Sequence, residues 1–340
     1  MKITLNADPG SEITINVSSS PSGARTESMG SSASGELETK KEDTELGMDY
    51  SGCLGYVEEF MGFNVPIPEL EKQLLRKAAK FDDNSDQYIL PYYNFSTVQH
   101  SIRKMPIFSA INIEGSPKKR KDTKKRKDQW LRDNRIDMDV QLTDDFYKYS
   151  GFDKGHMTRR EDANWGGSGA VAFRNAQLTC MYTNACPQVP ELNRAVFGYH
   201  GLWGQLEQIV LEQGVIEEEG KAGKICVFNG PIFVSTDPTY KDIQVPLRFF
   251  KVIVWINGKG EKKTTAFILS QEDLVDGIKF EELQYDEEFK EHQCSIPYLE
   301  NITDLKFNVM SAWDTYKDRN GKAVARIKRG ELESLVNENK

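Results

Sequence analysis

The stretch "GFDKGHMTRREDANWG", residues 151–166, holds His156, one of four histidines in a chain of 340 residues. Lys154 stands two positions before it, and Arg159 and Arg160 follow within four. An imidazole with an ordinary pKa of about 6.5 is largely neutral at pH 7, so it can accept a proton. Two readings fit such a side chain among three cations. Either the stretch is a solvated turn, or His156 works on a group that carries negative charge.

A phosphodiester is one such group, and cutting it has known requirements. A base must deprotonate or orient a water, and extra negative charge must be offset as the transition state forms. A divalent metal suits the second task, and Mg2+ keeps several waters, so very few protein oxygens are needed to hold it. The chain offers suitable groups downstream in order. "TNACPQVPELNR", residues 183–194, supplies Asn184 and Asn193, and "GLWGQLEQIV" supplies Glu207. Leu202, Leu206, Ile209 and Val210 in that last segment recur at helical spacing, which predicts that Glu207 is carried on a helix.

Taken together, "DKGHM", "RREDANWG", "TNACPQ", "LN" and the Trp203 to Glu207 segment resemble, in that order, the DNA/RNA non-specific endonuclease family. This is the ββα-metal group that includes secreted bacterial nucleases and mitochondrial endonuclease G. "FSAINIEG", "WLRDNRI", "VFNGPIF", "VPLRFFKVIVW" and "AFILSQ" sit where that family has its core strands, so the likeness runs over roughly residues 88–310. The resemblance implies an α+β fold with a central, largely antiparallel sheet flanked by helices. It implies hydrolysis of DNA and RNA with little sequence preference. His156 would be the general base, Asn193 the direct ligand of a hydrated Mg2+ (with Mn2+ as a substitute), and Glu207 the holder of metal-bound water. Asn184 would order the site, and Lys154 would meet phosphate. Arg159 and Arg160 read either as plain surface charges or as phosphate-binding residues, with one of them expected to contact phosphate.

Two positions depart from the family pattern. Lys154 stands where the family has arginine, which keeps the charge and loses the bidentate fork. Asn193 and Glu207 are fourteen positions apart, with "AVFGYH" as an apparent insertion. In one continuous helix that spacing is roughly 21 Å of rise, too far to share an ion. The segment must therefore loop out, for which Gly198 and Gly201 are suited, or Asn184 takes the metal instead. Asp153 is expected to shape the turn before His156, and Trp165 and Trp203 to pack rather than stack on bases. His100, His200 and His292 have no comparable surroundings.

The elements that must position these residues read as follows. "KITLNA" and "EITINV" alternate like strands and suit a hairpin around "DPGS". Residues 17–48 are Ser-, Gly- and Glu-rich and too poor in apolar side chains to offset their ordering entropy, so residues 1–48 are expected to be short strands followed by a disordered tail. Residues 49–340 are expected to form a single nuclease domain. Within it, "PIPELEKQLLRKAAK" carries helical spacing from Ile67 to Ala78, five apolar segments read as strands, and "NITDLKF" suggests a cap near a helix start.

Bulk properties narrow the function classes. A net charge of −8 excludes a protein that coats nucleic acid along its whole surface. "KKRKDTKKRK", residues 118–127 within a loop over 117–128, is the local exception, and reads as a solvated loop, a phosphate-attracting arm or an import signal. Five irregularly spaced cysteines predict free thiols, with Cys180 and Cys186 the one pair that could bridge. With no long apolar run, no membrane association and a cytoplasmic location are expected; unconventional export and organelle import stay open. Three functional readings remain: an endonuclease, a relative that binds nucleic acid without cutting it, and a toxin or defence nuclease held by an inhibitor or activating partner. A homodimer is compatible with each.

Overall fold

The structure, a computed structural model, describes residues 2–8, 11–16, 49–115, 119, 128–194, 223–272, 292–317 and 322–326. The chain divides into two units, Met1–Glu42 and Asp43–Lys340. In the first, β1 (Lys2–Asp8) pairs antiparallel with β2 (Ser11–Asn16), with Leu5 opposite Ile13, as the alternation predicts.

The second unit is built on one large sheet. Its strands are β4 (Ile89–Pro91), β5 (Phe95–Gln99), β6 (Pro106–Glu114), β9 (Lys224–Ile232), β12 (Arg248–Ile256), β13 (Lys262–Ser270), β14 (His292–Cys294) and β16 (Val324–Arg326). They lie in the order β16-β14-β13-β12-β9-β6-β5-β4, and every pairing is antiparallel. The central strands are buried on both faces, so they read as continuous apolar runs rather than as alternating ones. Along β12, Phe249, Ile253 and Trp255 join one core, while Phe250, Val252 and Val254 join the other. The first core also takes in Met157, Met181, Tyr182, Ala185 and Leu192, so it carries the segment with the candidate site. The second is covered by Ile296 and Leu299 of α5 (Ile296–Thr303) and by Phe307.

The remaining elements are short. β3 (Glu69–Leu70) pairs with β15 (Leu305–Lys306), and β10 (Thr239–Tyr240) with β11 (Ile243–Gln244). α1 (Lys72–Leu75), α2 (Asp144–Tyr147) and α4 (Pro190–Asn193) are single turns, and α3 spans Gly169–Gln177. β7 (Asp153–His156) and β8 (Ala185–Gln188) form a separate antiparallel pair.

Two local expectations are corrected. The helix over residues 66–80 is only α1, because Leu70 pairs with Leu305 and Ala78 bridges to His100. Tertiary strand pairing there outweighs helical spacing. "NITD" ends a helix instead of starting one. Ser295 caps the start of α5 by accepting from Tyr298 N, and Asp304 closes its end in the left-handed conformation. Helix and sheet are nevertheless mixed as the α+β expectation requires. No described helix is long and apolar enough to cross a membrane. All five cysteines are buried free thiols, so Cys180 and Cys186 do not bridge.

Candidate active site

The site grows from a strand–strand–helix unit. β7 and β8 pair with Asp153 opposite Gln188, Gly155 opposite Cys186 and His156 opposite Ala185, and α4 follows β8 after one residue. Gly155 is required by packing: a Cβ there would lie 2.1 Å from Gln188 Oε1. Side chains alternate along β7, so Lys154 and His156 leave one face while Asp153 leaves the other.

On the first face, the Trp130 ring lies 4.7 Å from the His156 ring and 5.4 Å from Lys154 Nζ. Cys180 Sγ is 3.7 Å from His156 Nε2. Lys154 forms an ion pair with Asp144, and the Tyr182 hydroxyl donates to the same carboxylate oxygen at 2.8 Å. Burial pushes the Asp144 carboxyl up, but the bonds from Lys154 and Tyr182 outweigh it and hold the group below its ordinary range. Burial and the bond to Asp144 raise the Tyr182 hydroxyl, which keeps it a donor.

On the other face, Asp153 binds α4. Asn193 Nδ2 donates to Asp153 Oδ2 at 2.9 Å, and Arg194 clamps the carboxylate with Nε at 2.8 Å and Nη2 at 2.6 Å. Asp153 thus holds the amide rather than shaping a turn. Tying the nitrogen fixes the amide's orientation and leaves Oδ1 as the end able to meet a cation. A half-buried amide oxygen of that kind fits a hydrated Mg2+, which accepts one or two protein ligands and keeps its waters. The described residues contain no group of three or more His, Cys, Asp or Glu that could cage a metal, so a closed structural site is not the alternative among them. Glu207, Trp203, His200 and the insertion with Gly198 and Gly201 lie outside the described residues.

The backbone just after His156 is clamped from below. Asn184 is fully buried; its Oδ1 accepts from Thr158 N, and its Nδ2 donates to Thr158 O and Thr179 O, each at 2.9 Å. Asn184 O also accepts from Met157 N at 2.9 Å. With its side chain committed to backbone, Asn184 braces the segment that follows His156. The Thr158 hydroxyl bonds Ser109, which heads a cross-strand row of Ser109, Asn229 and Lys251 on β6, β9 and β12. Lys251 is fully buried and donates to Asn229. Only the lysine inside the apolar run "FFKVIVW" could have signalled this row in the sequence.

The two arginines separate. Arg160 is 4% exposed, with Nε 3.5 Å from Asp128 Oδ1 and its guanidinium against Phe173, so its expected contact with phosphate is corrected to a scaffold role. Arg159 keeps partial exposure. Trp165 packs on Phe60 and donates to Asn112 O, as expected of a packing residue. The basic run lies outside the described residues except Lys119, which pairs with Glu114 at 3.0 Å.

Against this geometry, the profile of the DNA/RNA non-specific endonucleases matches residues 75–313, most of the chain. The chain belongs to the DNA/RNA non-specific endonuclease family. Family relatives include an uncharacterized protein, y4fB, of Sinorhizobium fredii, 31% identical over 244 residues, which make up 69% of this chain and 35% of that protein. A nuclease of Nostoc is 24% identical over 168 residues, 49% of this chain and 54% of its own length. The chain thus spans about a third of the first and about half of the second. Among solved structures, an EndoG/EndoGI complex has a TM-score of 0.48 at 15% identity, covering 68% of this chain and 89% of that one. Four of the five segments expected on the family's core strands lie in β6, β9, β12 and β13; "WLRDNRI" is corrected, since it forms no strand and carries only the isolated bridges Leu131–Met181 and Phe81–Ile136. Trp130, Asp144, Cys180 and Tyr182 were not legible as neighbours of the site, because only strand and loop geometry brings Trp130 and Cys180 to His156 and Asp144 and Tyr182 to Lys154.

Proposed function

We propose that the chain is a Mg2+-dependent endonuclease that hydrolyses phosphodiester bonds of DNA and RNA with little sequence preference. The observation that carries the reading is the strand–strand–helix unit: His156 ends one strand and the Asn193 amide is held by Asp153 at the helix, so a phosphodiester lying across the edge of the two-strand ribbon would meet the base from one face and the metal from the other. His156 takes a proton from water as the water oxygen attacks phosphorus in line; the opposite bridging P–O bond breaks, and the leaving oxygen is protonated from solvent. Lys154 and Arg159 draw in the non-bridging oxygens. Phosphate replaces Asp144 as the partner of Lys154, an exchange of one anion for another. Asn193, with Glu207, would hold the hydrated Mg2+, which supplies positive charge to the transition state; Mn2+ would substitute. Residues 49–340 are the nuclease domain in this reading, and the basic run within 117–128 adds phosphate affinity.

Digestion of supercoiled plasmid and of an RNA transcript tests it. Cutting of both with Mg2+ or Mn2+, abolished by chelator and restored by added metal, is the expected result. No cleavage with any divalent ion, or cleavage indifferent to chelator, would sink the proposal.

A further inference from the structure

Beside the base and lysine opens a cleft of about 280 Å3, lined by Trp130, Tyr182, Arg132, Thr143, Asp144 and Asp145. Trp130 belongs to this cleft and also touches His156, so whatever fills the cleft lies next to the scissile bond. Its walls are aromatic, with the Trp130 and Tyr182 rings 5.8 Å apart. Its rim carries two carboxylates, and Asp145 is exposed. Arg132 in the lining and the Lys154 partner of Asp144 offset the two acids, so the cleft is close to neutral and is not a second cluster of cations for phosphate. An uncharged ring with N–H donors suits it: the half-buried Trp130 ring offers a stacking face, and the exposed Asp145 carboxylate accepts its protons. The volume lies at the lower edge of small-molecule sites, which fits one planar base and not a run of nucleotides.

Resting on the nuclease reading above, we propose that this cleft is a nucleobase subsite, in which Trp130 stacks the base of the nucleotide adjoining the bond that is cut. A base can enter only if it is unpaired, so single strands are preferred over duplex of the same sequence.

Mapping cuts on a single-stranded oligonucleotide, with one abasic residue and without it, tests this. The wild type should cut the bond beside the abasic residue roughly 5- to 150-fold more slowly than the same bond in the control, the range base–aromatic stacking carries. Trp130→Leu should cut the control more slowly by a similar factor and show no further abasic effect, while Trp130→Phe retains most of the discrimination. Equal cutting beside base and abasic residue by the wild type, or abasic discrimination that survives in Trp130→Leu, would overturn the subsite. If the wild type cuts nothing with any divalent ion, the nuclease reading fails instead. The subsite is then read from tryptophan emission during titration with AMP. Quenching that is lost in Trp130→Leu is expected, and quenching equal in both proteins overturns it.

Discussion

Replacing Asn184 by alanine should damage both stability and rate, because this side chain serves only backbone. It is fully buried and satisfies Thr158 N, Thr158 O and Thr179 O. Leaving a buried polar group unpaired costs about 1–3 kcal/mol, so three such groups, partly relieved by water entering the gap, give about 3–6 kcal/mol. At about 2–4 °C per kcal/mol for a unit of this size, the melting temperature should fall by about 6–24 °C. The same bonds fix residues 157 and 158, directly after His156. A displacement of about 1 Å there should lower kcat about 100-fold in assays well below the melt, with KM little changed. Asn184→Asp separates donor from acceptor. It keeps an oxygen for Thr158 N but points a carboxylate at two carbonyls, so its folded pKa is raised above an unfolded value of about 3.9. The stability it retains is therefore greatest below about pH 4 and is lost as pH rises through the folded pKa. Thermal melts across pH, with cleavage rates at one low temperature, measure both effects. An Asn184→Ala protein that melts within about 2 °C of the wild type and keeps its full kcat would refute the reasoning.

Three further outcomes follow from other contacts. Asp153→Ala frees the Asn193 amide and Arg194, so the Mg2+ concentration for half-maximal cleavage should rise about 10- to 100-fold; an unchanged midpoint would contradict the role given to Asp153. Asp144→Asn releases Lys154 to substrate, so KM for DNA should fall and the log–log salt slope steepen by about one unit, whereas a higher KM would mean that Asp144 positions the lysine. His100 is buried, and its Nδ1 accepts from Ile102 N and Arg103 N at 3.1 Å; burial, then Lys77 and Arg103, push its pKa down to about 4. The unfolded chain binds a proton that the folded chain refuses between about pH 6.5 and 4. Stability should thus be intact above that window and fall by roughly 3 kcal/mol through it. His100→Asn, which keeps an acceptor, should flatten that acid limb in urea unfolding at pH 7 and pH 4.5; an equally steep limb would count against the account.

The sheet was legible because its strands are buried on both faces and so stand out as apolar runs bounded by turns. The one-turn helix at Lys72–Leu75 was not, since Leu70 answers to Leu305, more than two hundred residues away, and no local window contains that partner. At Asp304 the residue types of a cap were visible but not which end they capped; "SIPYLE", with Ser295 and Pro297, was the clearer start signal. In the site, chain order singled out His156 and Asn193, but the segment before His156 read as a turn, so the strand that sets Asp153 and His156 facing apart was not legible. What remained hidden were contacts between segments: Asp144 with Lys154, Trp130 and Cys180 with His156, and the buried Lys251 below Thr158. Arg160 shows the converse, since its place in a cationic sequence says nothing of the Asp128 and Phe173 side chains that enclose it.

The central claim is that His156 is the base. The direct measurement is the single-turnover cleavage rate of wild type and His156→Ala at saturating Mg2+ across pH. The wild-type rate should climb along an acid limb as the imidazole loses its proton. His156→Ala should be slower by about 100- to 10,000-fold and lack that limb. A His156→Ala protein that cuts within a few-fold of the wild type, along the same acid limb, would contradict the assignment.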